Sequence, residues 1–251
     1  MRLGEKFAFY NVNNKPTETF ERQLKMMGAP VVIESFISPA EVELLIQIEK
    51  ELGPDQKIVR PPRQKISYIM DTWLKDKRTA FLLNRLYQHF GKFSLWGGNY
   101  FHVEFPYLPH VDNGENITVA NYKNIVIPLA MRPSGLETQL IIFKQRYFGD
   151  NTIFFRSGVG IDKSITYTNS LYDYSKILGL EQGTLIDRAS MESLLGHINP
   201  VDLEGLTISH VIPWKVGSCI AFDSSQIHCA ADFRRVGIEG KFGLSLFTTL
   251  N

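Results

Sequence analysis

Cysteine is scarce. Two residues in 251, Cys219 and Cys229, are too few for a disulfide framework or a cysteine-rich zinc site. They read as small apolar core residues of a reducing compartment. An excess of one charge is also missing: 27 Lys and Arg stand against 26 Asp and Glu, a net charge of +1. That balance argues against a broad nucleic-acid-binding face, while leaving room for a local patch. No apolar run approaches membrane-spanning length, and the N-terminal segment has no signal-peptide core. Gly and Pro, 19 and 12 residues, are far too few for a fibrous or low-complexity chain. What remains is ordinary globular usage, 44% hydrophobic and 21% charged, at a length that suits one domain over residues 1–251. The expectation is a soluble, intracellular, cytoplasmic protein with no membrane partner.

The first part of the chain, residues 1–93, reads as a strand with helical support. TETFERQLKMM suggests a short helix, and VVIESFI (31–37) a strand. SPAEVELLIQIEKEL then opens with a strong helix start: Ser38 can cap, Pro39 suits the first helical position, and Glu41 completes a capping box. Val42, Leu45, Ile48 and Leu52 supply an apolar stripe, and Gly53-Pro54 stops it. KIVRPPRQK (57–65), basic throughout, reads as a solvated loop, with an anion-attracting rim as the sharper alternative. Residues 69–90 read as one helix. From 94 onward short strands separated by turn signals take over, which predicts an antiparallel sandwich or barrel. An insertion at about 150–205 interrupts them, with candidate helices at DYSKILGL and RASMESLLGHI. The order of elements predicts an α+β, mainly β fold, such as a jelly roll buttressed by N-terminal helices.

Three segments of the β-rich part, 94–251, carry the chemistry. In YLPHVDNG, His110 and Asp112 are two residues apart, so an extended strand points both to one face. Asn113-Gly114 then turns the chain, which places the pair at a rim. VIPWKVGSCIAFDSSQIHCA supplies a strand, a turn, a second strand and then His228. KFGLSLFTTL puts Lys241, Gly243 and Ser245 on one face and Phe242, Leu244 and Leu246 on the other. Two His and one carboxylate on one face of an octahedral metal leave three positions for exchangeable ligands, the pattern of non-haem iron oxygenases. A structural zinc site would close its shell instead.

His-x-Asp followed by a distal His behind a Pro-Trp-x-x-Gly turn, and then by a basic residue opening another strand, resembles the Fe(II)- and 2-oxoglutarate-dependent dioxygenases. VVIESFISPAEVELLIQIEKEL is similar to the strand and helix that precede the core in prolyl 4-hydroxylase-like and phytanoyl-CoA dioxygenase-like members. The resemblance implies a double-stranded β-helix core. It implies iron on His110, Asp112 and His228, with O2 as oxidant and ascorbate as a supporting reductant. It also implies a basic side chain holding the far carboxylate of 2-oxoglutarate. Lys241 matches that anchor, Arg235 (with Arg234) is its rival, and Ser245 and Tyr100 are candidate hydrogen-bonding partners of the same carboxylate. Tyr107 is a pocket candidate. The implied reaction is hydroxylation of an unactivated C–H in a peptide side chain or small metabolite, with succinate and CO2 as co-products.

Other readings compete. His102-Val103-Glu104 is a second His-x-carboxylate pair, but it lies mid-strand and reads as pocket wall. His210 could replace His228, whereas His89 and His197 read as helix ends. Trp214 reads as packing, with a place in the cofactor pocket as the alternative. Arg132, Arg146 and Arg156 read as surface charge first and substrate groove second. A cupin-like metal-binding jelly roll without oxygenase activity would explain the two His and Asp112 but leave Lys241 idle. Retention of Asp112 disfavours a halogenase, and the neutral charge disfavours a nucleic-acid demethylase.

Overall fold

Alternating apolar positions in the second half of the chain build two facing antiparallel sheets. The computed structural model describes residues 25–60, 64–68, 71–112, 121–147, 152–153, 177–178 and 186–250. In chain order the strands are β1 (Val31–Ile33), β2 (Lys57–Arg60), β3 (Gln64–Tyr68), β4 (Ser94–Val103), β5 (His110–Val111), β6 (Asn121–Arg132), β7 (Gln139–Tyr147), β8 (Thr152–Ile153), β9 (Ile177–Leu178), β10 (Ile208–Pro213), β11 (Cys219–Asp223), β12 (Gln226–Ala230) and β13 (Gly240–Thr249). The helices are α1 (Pro39–Glu51), α2 (Asp71–Lys75), α3 (Ala80–Phe90) and α4 (Arg188–Leu194).

The larger sheet runs β1-β11-β6-β13-β4-β3-β2, and the smaller runs β10-β7-β12-β5-β8, with β9 beside β7. Set aside the edge additions β1, β2, β3, β8 and β9, and eight strands remain. The first, eighth, third and sixth lie in one sheet, and the second, seventh, fourth and fifth in the other. That order is the double-stranded β-helix, or jelly roll, with helices as a minor part.

Each sheet has two buried faces. On the outside of the larger sheet, Ile125, Ile127, Phe242, Leu244 and Leu246 join Leu45 and Ile48 of α1 and Leu82 and Leu86 of α3 in one core. On the outside of the smaller sheet, Val111, Ile141, Phe143, Ile227 and Cys229 pack with Leu195, Ile198 and Leu203 from the chain after α4. Between the sheets lie Val126, Leu140, Ile142, Ile212, Trp214, Ile220 and Phe222. Both cysteines are free and buried, and burial pushes the Cys219 thiol up to about 12.

α1 starts as its sequence requires. Ser38 N–H donates to Glu41 Oε2 at 2.7 Å, and Glu41 N–H donates to Ser38 Oγ at 3.3 Å. The same carboxylate pairs with Arg85 Nη2 of α3 at 2.9 Å, and the Arg85 guanidinium draws it down to about 2. One side chain thus caps one helix and ties it to another.

Several expectations change. The single helix expected over 69–90 is broken at Asp76, whose carboxylate accepts from Arg78 N–H at 2.8 Å, while Thr79 Oγ1 donates to the Trp73 carbonyl at 2.8 Å. These local bonds turn the chain between α2 and α3. The basic loop expected over 57–65 is instead β2 and the start of β3, paired antiparallel at the sheet edge, with 61–63 outside the described residues. In DYSKILGL, Ile177 and Leu178 form β9 against Tyr147 and Arg146 rather than a helix. RASMESLLGHI is helical only through Leu194, capped by Asp187. Residues 17–24 of TETFERQLKMM, most of the 150–205 insertion, Arg156 and the Asn113-Gly114 turn lie outside the described residues.

A corner between the sheets is closed by charge. Asp223 accepts from Lys123 Nζ at 2.5 Å, from Arg146 Nη2 at 2.7 Å and from Gly28 N–H at 2.9 Å. Arg146 is therefore a half-buried tie between sheets, its side chain 17% exposed, rather than a free surface charge.

Candidate metal centre

Strand alternation aims the three residues. Val111 is fully buried in the outer core of the smaller sheet, so its neighbour His110 must point to the inner side. On β12, Ile227 and Cys229 belong to that same outer core, so His228 also points inward. β12 pairs directly with β5, with His228 opposite His110. A contact between residues 118 positions apart is thereby fixed by backbone register.

The side chains converge. The ligand atoms of His110, Asp112 and His228 all lie within 4.8 Å of one another. His110 Nε2 is 3.9 Å from Asp112 Oδ1, and His228 Nε2 is 3.4 Å from Asp112 Oδ2. Donors on adjacent corners of an octahedron stand about 3 Å apart for metal–ligand bonds of about 2.1 Å, a spacing reached by small side-chain adjustments.

The tautomers suit a metal. His110 Nδ1 lies 2.7 Å from the Leu108 carbonyl, and His228 Nδ1 lies 3.0 Å from the Gln226 carbonyl. A carbonyl only accepts, so each Nδ1 carries the proton and each Nε2 presents a lone pair. Burial, together with the neighbouring His228, holds His110 down at about 4, so it is a neutral imidazole near pH 7. Burial alone would raise the Asp112 carboxyl, but the two imidazoles outweigh it and keep the group below its usual value. Two imidazoles and one carboxylate form a donor set that fits a divalent transition metal.

The walls are aromatic and mostly dry. Tyr107 packs edge-on against His110 at 4.8 Å, and Phe222 lies 4.6 Å from the His228 ring. Lys241 is 4% exposed on the inner face of β13. Its Nζ sits 4.2 Å over Trp214 and 5.1 Å from Phe233, with no anionic partner among the described residues. Burial pushes its pKa down to about 7. Ser245 is buried on the same face, and the β13–β4 register is unbroken from Lys241 to Phe247.

Two expected contacts are corrected. Tyr100 pairs with Leu244 and so faces the helices, where its hydroxyl accepts from Trp73 Nε1 at 3.0 Å; it is on the opposite side of the sheet from Lys241. Arg235 is an exposed turn residue whose guanidinium donates to the Glu192 carbonyl outside the barrel, so it is not a buried anchor. Arg234 likewise donates to the Glu239 carbonyl, at 3.2 Å.

The rival ligands also lie elsewhere. His102 stacks on Phe242 at 3.8 Å, on the helix side, and Glu104 is 3.9 Å from Arg132. His210 is exposed on β10 and bonded to Ser209 Oγ at 2.8 Å. One inner-face residue escaped the sequence reading. Asn124 pairs with Phe222, is 1% exposed, and has no partner for either amide atom among the described residues. Its only sequence signal is a polar residue at an inward position of an apolar strand.

No protein-family model matches the chain, and no curated protein matches it either. Similar solved structures include the non-heme alpha ketoglutarate dependent epimerase SnoN from nogalamycin biosynthesis. It is 11% identical, with 91% of this chain and 81% of that one covered and a TM-score of 0.49. A Pseudomonas putida prolyl-4-hydroxylase is 11% identical over 92% and 96% of the two chains, at 0.46. HygX from Streptomyces hygroscopicus, with nickel and 2-oxoglutarate bound, is 12% identical over 94% and 88%, at 0.48. In its own right, this chain is a double-stranded β-helix in which two imidazoles and a carboxylate converge between the two sheets that also bury Lys241.

Proposed function

We propose that the chain is an Fe(II)- and 2-oxoglutarate-dependent oxygenase that hydroxylates an unactivated C–H of a peptide side chain or small metabolite. One observation carries the reading: a His110–Asp112–His228 donor set shares the space between the sheets with the buried ammonium of Lys241, which has no anionic partner among the described residues. A binding jelly roll could use the donor set alone. It would then bear the cost of burying Lys241 for nothing.

Bound iron and keto acid together supply O2 activation, with the keto acid split to succinate and CO2 as the substrate is hydroxylated. The protein's part is positional. His110 and His228 offer Nε2 because backbone carbonyls hold their Nδ1–H, and Asp112 supplies the compensating negative charge. His110, Asp112 and His228 would hold the metal and leave it open to exchangeable ligands. Lys241 pairs with the far carboxylate, and Ser245 offers a hydroxyl from the same strand face. Phe222, Trp214 and Val126 exclude water between the sheets. Asn124 presents a free carboxamide toward that interior.

The test is an anaerobic titration of the Fe(II)-loaded protein with 2-oxoglutarate, followed by the visible charge-transfer band of a chelated keto acid. A saturating band that is lost in His110→Ala, Asp112→Ala and His228→Ala supports the oxygenase. Metal binding without a band would leave the cupin-like reading in its place.

A further inference from the structure

We infer that the indole N–H of Trp214 is a second donor beside Lys241, and that the two form a seat for the far carboxylate of a keto-dicarboxylate. This inference rests on the oxygenase reading above and adds to it a residue that positions the co-substrate.

Trp214 follows β10 and is 4% exposed. Its Nε1–H is buried and has no acceptor, although indole nitrogen can only donate. The orientation of the ring follows from Gly243. A Cβ added at Gly243 would stand 3.1 Å from Trp214 Cζ2 and 2.6 Å from Phe101 Cζ. Cζ2 and Nε1 are attached to the same ring carbon, so the N–H edge is the edge that lies toward β13. Gly243 shares the inner face of that strand with Lys241 and Ser245. Lys241 Nζ stands 4.2 Å from the centre of the same indole. Two donor-only groups therefore lie side by side without an acceptor.

Donors left unsatisfied in a dry interior are costly, and no acidic side chain among the described residues pairs with this lysine. No described residue supplies the missing partner, and a bound ligand can. A neutral amide or hydroxyl could accept from the indole but would leave the ammonium uncompensated. A carboxylate has lone pairs enough for both donors and a charge to match the ammonium. Gly243 fits the same account, because only the absence of a side chain there lets the indole edge approach the strand.

The test uses full-length protein loaded with diamagnetic Zn(II) and labelled with 15N at its indoles. Trp73, Trp96 and Trp214 give three Nε1–H resonances, assigned with Trp214→Phe and Trp96→Phe. Addition of 2-oxoglutarate should move the Trp214 resonance downfield to saturation. 2-Oxobutyrate, which keeps the keto-acid end and lacks the far carboxylate, should leave it in place. Trp214→Phe keeps an aromatic face under Lys241, and it should bind 2-oxoglutarate about ten- to a hundredfold more weakly with Zn(II) affinity unchanged. Saturable binding of 2-oxoglutarate with a stationary Trp214 resonance and no affinity loss in the variant would overturn the seat. Glutarate on metal-free protein separates the two readings. If it moves Trp214 while no keto acid reaches the metal, the seat stands and the oxygenase reading falls. If neither ligand moves Trp214, the seat falls.

Discussion

Replacing Lys241 with Met should stabilise the metal-free protein, an unusual result for a residue placed in the site. The ammonium ordinarily titrates near 10.5 and is pushed down to about 7 by burial. That displacement corresponds to at most roughly 5 kcal/mol of preference for the neutral amine. The sign follows from proton counting. Between pH 7 and 10.5 the unfolded chain holds a proton that the folded chain has released, so stability rises with pH by up to about 1.4 kcal/mol per unit. Below pH 7 the whole penalty stands. Met fills the space of the lysine stem and places sulfur against the Trp214 and Phe233 rings. Urea unfolding of both proteins at pH 6, 8 and 10 should show Lys241→Met ahead by several kcal/mol at pH 6, with the gap closing toward pH 10. In the metal-loaded state, 2-oxoglutarate should raise the Tm of the wild type and not that of the variant. A variant less stable than wild type at pH 6, or a gap independent of pH, would refute the claim that this charge is buried without compensation.

Asp112→Ala should lose most transition-metal affinity by calorimetry with Co(II), while His210→Ala, altered outside the cluster, should retain it. Gly243→Ala should cost about 1–3 kcal/mol in denaturant unfolding, because its Cβ would fall 2.6 Å from Phe101 and 3.1 Å from Trp214. Asp223→Ala strands Lys123 and Arg146 beside one another, and a loss of roughly 3–5 kcal/mol is expected. Asn124→Leu removes two orphaned amide atoms and should gain about 1–3 kcal/mol in the ligand-free protein; a loss of stability would show that the amide is satisfied.

Local signals were the legible part of this chain. Ser38, Pro39 and Glu41 announce α1 because a capping box needs only residues three apart. His110 and Asp112 share a side because they flank Val111 in one extended segment. His228 required a fold, since its partner strand lies 118 residues away, and only the resemblance to a family singled it out. Tyr100 shows why such reasoning stops. The resemblance placed it on the strand leading to His110, but the chain passes through Pro106 and Pro109 and leaves one sheet for the other between β4 and β5. Parity does not survive that crossing, so Tyr100 faces the helices. Arg235 lies in a turn, as the residues around it suggest, and that turn is solvent-exposed, which leaves the strand residue Lys241 as the buried cation.

β13 has hydrogen-bonded neighbours on both sides, β4 and β6. Its alternate residues serve two different interiors: Phe242, Leu244 and Leu246 hold the helices, while Lys241, Gly243 and Ser245 line the barrel. A single residue inserted early in this strand would exchange the two sets, driving an ammonium toward Leu45 and Leu86 and a phenylalanine into the ligand space. Its length is therefore fixed by two requirements at once. Insertions and deletions among natural variants of this chain should never fall between Gly240 and Leu246.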